Sequence, residues 1–123
     1  MFEFGNAPKQ FDDGMLFKVP PLLGREDILR WYNSSMNFPY FGYNWDSLYD
    51  MLCDLSWISE KHVTIVHSDL PDLSKEDLII YVGILFDAMS SWEHEEVHVL
   101  HVQFPTSYES EINSMTKGFK SES

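Results

Sequence analysis

Three short apolar runs, set far apart, constrain this chain more than any other feature: Met15-Leu16-Phe17-Lys18-Val19, His62-Val63-Thr64-Ile65-Val66-His67 and Val97-His98-Val99-Leu100-His101-Val102. Each has the length of a strand, and the last two are rich in β-branched residues, which suit a pleated surface. The first is almost unbroken in its hydrophobicity, the pattern of a strand buried on both faces, and Pro20-Pro21 ends it. Helical periods fill the intervals. From Arg25 to Met36, Ile28, Trp31 and Tyr32 fall at helical spacing, with Glu26 and Asp27 at the positive end of the helix dipole. Ser74-x-x-Asp77 has the form of a capping box and opens a long helix to about Ser91, with Leu78, Tyr81, Val82, Leu85 and Met89 on one side. Strand, helix pair, strand, helix, strand is the order of parallel crossovers. The expected fold class is therefore α/β, a three-stranded parallel sheet with helices packed on it.

At 123 residues and 44% apolar content the chain can bury one core. The runs place that domain at residues 14–104. Residues 1–13 read as an N-terminal arm laid over it, and 105–123, with Pro105 and many Ser and Glu, as a loop and loosely attached C-terminal tail. The net charge of −12 argues against direct nucleic-acid binding and against an anionic membrane surface, since both would repel it. Its natural partner is basic, and opposite net charges speed encounter. One cysteine, Cys53, excludes an internal disulfide and suits a reducing compartment. The start Met1-Phe2-Glu3-Phe4-Gly5 lacks the features of a signal peptide, so the expected location is cytoplasmic.

The remaining stretch, residues 38–58, reads as a loop feeding an amphipathic helix. Pro39 biases Phe38 away from helix, Gly42 marks a turn that other residues resist, and Asn44 is a candidate N-cap. Trp45, Leu48, Leu52 and Leu55 form the core-facing stripe. Asp46, Tyr49, Asp50 and Cys53, linked by i, i+3 and i+4 steps, share the neighbouring arc, with Tyr40, Phe41 and Tyr43 just ahead. Aromatics ringed by polar groups are how binding surfaces are built. The same residues also fit a hydrophobic staple and an ordinary solvated helix face.

Tyr40-Phe41-Gly42-x-Asn44-x-Asp46-x-Leu48-Tyr49-Asp50 resembles the Tyr-Tyr-Gly-x-Asn-x-Asp-x-Leu-Trp-Asp signature of the barstar family, intracellular protein inhibitors of small ribonucleases. Ser56-Trp57-Ile58 matches the Trp that often follows. The dense match covers about a dozen positions; elsewhere only the order of elements, over roughly 14–104, is alike. The resemblance implies that Tyr40, Gly42, Asn44, Asp46, Tyr49 and Asp50 face a nuclease, with the Asp50 carboxylate standing where a substrate phosphate would sit. It implies one small basic ribonuclease as partner, a monomeric inhibitor in a 1:1 complex, and an antitoxin or immunity role without cofactor or catalysis. Tyr49 stands where the type member has Trp, and Tyr43 and Trp45 replace less bulky residues, which leaves the cognate enzyme open.

Other readings fare less well on the residues. His98 and His101 point to opposite faces of a strand and cannot chelate one metal together. Asp46 and Asp50 have no nucleophile–base pair or phosphate-cradling loop beside them for catalysis. Cys53 has no histidine near it in sequence to act as its base, and reads as a small, partly buried hydrophobe. The competing function is a different binding role: an acidic adaptor, or an immunity protein for a toxin that is not a ribonuclease.

Overall fold

The computed structural model describes residues 1–119. Its elements are β1 (Glu3–Phe4), β2 (Gly14–Val19), α1 (Gly24–Met36), α2 (Trp45–Asp54), β3 (His62–His67), α3 (Lys75–Trp92), β4 (Val99–Phe104), a 3-10 turn (Thr106–Tyr108) and α4 (Glu109–Thr116). The four strands form one parallel sheet in the order β1-β4-β3-β2. The α/β class and the parallel sheet agree with the sequence pattern. The strand count does not: β1 adds a fourth strand, short enough to leave no period of its own, at the β4 edge.

Register places Phe17, Ile65 and Val102 in one row and Met15, Val63 and Leu100 in another; all of these except the exposed Met15 join the helices in a single core. Ile28 and Tyr32 of α1, Leu48, Met51 and Leu52 of α2, and Tyr81, Val82 and Leu85 of α3 are all buried there. Each such side chain contributes roughly 1.5–3 kcal/mol through loss of apolar surface from water. The other face carries Leu16, Thr64 and His101 in a row. The N-terminal segment covers part of it. Phe11 stacks on His62 and His101, at centroid distances of 4.0 and 4.6 Å, and the Gln103 amide donates to the Gly5 carbonyl at 2.9 Å.

Three local expectations need correction. β2 is an edge strand, so its apolar run is not buried on both faces: Phe17 and Val19 are buried while Met15 and Leu16 stay exposed. The third strand begins at Val99, two residues later than the β-branched pattern suggests. Residues 106–116 are helical where loop is expected; Ile112 of α4 is fully buried, and Phe119 packs on Phe86 of α3 at 5.4 Å. The final four residues of the expected tail lie outside the described residues.

One polar network ties the core layers together. The Tyr32 and Tyr81 hydroxyls lie 2.7 Å apart, the Tyr81 hydroxyl lies 2.7 Å from His67 Nε2, and His67 Nδ1 lies 3.0 Å from the Gln103 carbonyl oxygen. The carbonyl only accepts, so Nδ1 carries the hydrogen, Nε2 accepts from Tyr81, and Tyr81 accepts from Tyr32. Burial raises both tyrosine pKa values and lowers that of His67 to about 4, keeping the ring neutral at ordinary pH.

Candidate functional site

The segment joining α1 to α2 is fixed from beneath. Phe38 is buried, with Phe41 at 5.0 Å and Trp57 edge-on at 5.6 Å, and the Trp57 indole N–H donates to the Met36 carbonyl at 2.8 Å. That bond satisfies a free carbonyl in the last turn of α1, while Asn37 takes the left-handed conformation that ends the helix. Trp57 therefore lies beyond α2, which stops at Asp54 with Leu55 as its left-handed cap. The stripe is broader than Trp45, Leu48, Leu52 and Leu55 alone, because Met51 is buried as well.

The start of α2 is capped as its sequence suggests. Asn44 Oδ1 accepts from the Ser47 backbone N–H at 2.7 Å, and Ser47 Oγ accepts from the Gly42 N–H at 3.0 Å. These two bonds favour glycine at 42. A Cβ built there would lie 2.6 Å from Ser47 Oγ, so a side chain would push the serine hydroxyl out of its place beside the Gly42 N–H. The left-handed backbone sits one residue later, on Tyr43, with φ at 55°. The turn expected at Gly42 falls instead on its neighbours, where the chain bends at 39–40 and 43–44, and Gly42 itself has no positive φ.

With the loop and cap fixed, the remaining site residues point outward. Tyr40 is 67% exposed and Tyr49 37%, and Asp46 and Asp50 are both exposed one helical turn apart. Asp46 also falls in the first turn, where the dipole stabilises a carboxylate. Among the described residues, neither carboxylate has a basic group within salt-bridge distance. Tyr40, Gly42, Asn44, Asp46, Tyr49 and Asp50 are thus all exposed, with Gly42 and Asn44 tied to Ser47 at the start of α2.

A residue invisible to sequence spacing joins them. The Tyr49 hydroxyl has its pKa raised first by its polar contact with Cys53, then by partial burial and by the negative charges of Asp87 and Asp50. Asp87 belongs to α3 and is exposed. It reaches this face only because α2 packs along α3. The Ser91 hydroxyl of α3 also lies 3.4 Å from Cys53 Sγ. The face is anionic across two helices, with no basic residue in the last turn of either.

No group of three His, Cys, Asp or Glu side chains among the described residues is arranged to hold a metal ion. His98 and His101 do diverge: His98 lies within 3.0 and 2.8 Å of the Leu55 and Glu60 carbonyl oxygens, and His101 lies 3.0 Å from His62 on the arm-covered face. No helix among the described residues is long and apolar enough to cross a membrane.

The fold is a parallel α/β sheet covered by helices, with an aromatic loop and an acidic helix face turned to solvent. The chain belongs to the Barstar (barnase inhibitor) family, whose model matches residues 17–104. No curated protein and no solved structure gives a significant match. β1 and α4 lie outside the matched region, as flanking additions to it.

Proposed function

We propose that this chain inhibits a small basic ribonuclease by seating the exposed face of α2 in the enzyme's active-site cleft. The observation that carries the reading is the pair Asp46 and Asp50, exposed, aligned on one helix face and unneutralised by any basic group among the described residues. Asp50 takes the place of a substrate phosphate among the enzyme's cationic groups, and Asp46 engages a second cation one turn away. Tyr40 and Tyr49 supply aromatic area around these charges, the arrangement that concentrates binding energy in a few residues. Gly42 and Asn44 fix the loop so that little order has to be gained on binding. A carboxylate on a helix offers no phosphodiester to cleave, so the enzyme is occupied without turnover.

The net charge of −12 supports steering toward a cationic enzyme, so added salt should slow association more than it speeds dissociation. Membership in the barnase inhibitor family supports a ribonuclease over other basic toxins as target. An antitoxin or immunity role in the cytoplasm follows from this reading, since a cell holding an active ribonuclease needs its inhibitor in the same compartment.

The test is RNA cleavage by barnase and other small cationic ribonucleases, titrated with the chain. Cleavage should fall linearly to zero at one inhibitor per enzyme for the cognate enzyme. Tight binding without loss of cleavage would assign the face to an adaptor role instead.

A further inference from the structure

Three non-glycine residues among those described have a positive φ, and two of them, Asn37 and Leu55, cap the C-termini of α1 and α2. That conformation is common at helix ends and needs no further cause. Tyr43 is the third, with φ at 55°, and it caps nothing. A left-handed backbone is unfavourable for a bulky residue, and Gly or Asn would adopt it more easily. The ring is nevertheless held there from two sides. Phe41 packs against it at 5.0 Å, and the Asn33 side-chain amide of α1 donates to its hydroxyl at 2.8 Å. Held in this way, the side chain remains 55% exposed. Backbone strain kept where it fixes an exposed aromatic is a mark of a functional position.

We infer that Tyr43 is a specificity-determining contact of the inhibitor, presenting a preorganised ring face to an arginine at the rim of the partner's cleft. This rests on the inhibitory role proposed above. The partner chemistry follows from charge: with the exposed Asp46 three residues on and a net charge of −12 on the chain, the negative face of an aromatic ring favours a cation. Arg is the better match, because its planar guanidinium is weakly hydrated and stacks. Phe41 and Asn33 hold the ring in one orientation, so little freedom remains to be lost on binding.

The experiment measures Kd for the inhibited ribonuclease, using barnase and other small cationic ribonucleases as probes, with Tyr43→Asn and Tyr43→Phe against wild type. Circular dichroism confirms each variant folded at the assay temperature. Tyr43→Asn, which keeps a residue tolerant of the left-handed backbone but removes the ring, should weaken binding tenfold or more. Tyr43→Phe, which keeps the ring, should stay within about threefold. Wild-type affinity in Tyr43→Asn would overturn the inference, leaving Tyr43 as a cover for Phe41. An equal loss in Tyr43→Phe would overturn the stacking role. Asp50→Ala in the same series separates the two readings: if it binds as wild type, the inhibitory mode itself fails, whatever Tyr43 does.

Discussion

Two clusters of tyrosine and polar groups, one inside the molecule and one on its surface, use similar residue types to opposite ends. Inside, Tyr32, Tyr81 and His67 form a chain that ends on a backbone carbonyl and leaves no polar side-chain atom among the buried, described residues without a partner. Outside, Tyr40, Tyr43, Tyr49, Asp46 and Asp50 lie on the loop and on α2 and remain exposed to solvent. A closed network holds α1, α3 and β3 in register and has nothing left to offer a partner. In the open one, Asp46 and Asp50 keep their charges free of ion pairs among the described residues, although the Tyr43 hydroxyl is bonded to Asn33. The two clusters should therefore respond to substitution in different observables.

The largest expected effect belongs to the surface. Asp50→Ala should cost several kcal/mol of binding, on the scale of an interface hot spot in which a desolvated cation loses its partner. Its unfolding free energy should change by no more than about 0.5 kcal/mol, because Asp50 is exposed and makes no ion pair among the described residues. The family's founding pair is the standard illustration of so large a loss, so its scale here is carried over from a known case.

Acid should reveal the interior next. His67 stays neutral in the folded state down to about pH 4, whereas the unfolded chain takes up the proton near 6.5. Its contribution to stability is complete above pH 6.5 and is lost progressively as pH falls toward 4. The loss amounts to about 3 kcal/mol from this group. Urea unfolding across that range should show the slope, and His67→Gln should flatten it. An unchanged slope would place the titration elsewhere.

Tyr81→Phe removes one hydroxyl that both accepts and donates, leaving His67 Nε2 and the Tyr32 hydroxyl each short of a partner. Chemical denaturation should report a cost of about 1–3 kcal/mol, with affinity for the ribonuclease intact. The smallest effect is expected at Asp54, exposed at the far end of α2, where Ala should change binding by less than about 0.5 kcal/mol. A loss at Asp54 equal to that at Asp50 would reduce the acidic face to a diffuse field without an anchor.

How much of this was legible in sequence depends on the range of the interactions. Local chemistry showed through: Asn44 caps α2 and Ser74 caps α3, each accepting from the N–H three residues on. The outward arc of Asp46, Tyr49 and Asp50 followed from helical spacing alone. Contacts distant in sequence left no such mark. Asp87 approaches Tyr49 only through helix packing, and the Tyr32–Tyr81–His67 chain joins residues 49 and 14 positions apart. β1 exists because Phe2 and Phe4 pack against Phe104 beside its pairing with β4, which no two-residue pattern reveals. α4 was missed for a weaker reason: Ile112 and Met115 do fall at helical spacing, but Pro105 and the surrounding polar residues masked them. At Gly42 the glycine is legible but the turn expected there is not found, since the chain bends on either side of it and the crowding comes from the hydroxyl of Ser47.

The most direct test measures both observables on both clusters: unfolding free energy and ribonuclease affinity for wild type, Asp50→Ala and Tyr81→Phe. Separation is the expected result, with Asp50→Ala losing affinity at full stability and Tyr81→Phe losing stability at full affinity. Parallel loss of both quantities in both variants would contradict the division of this molecule into a closed core that holds the fold and an open face that binds.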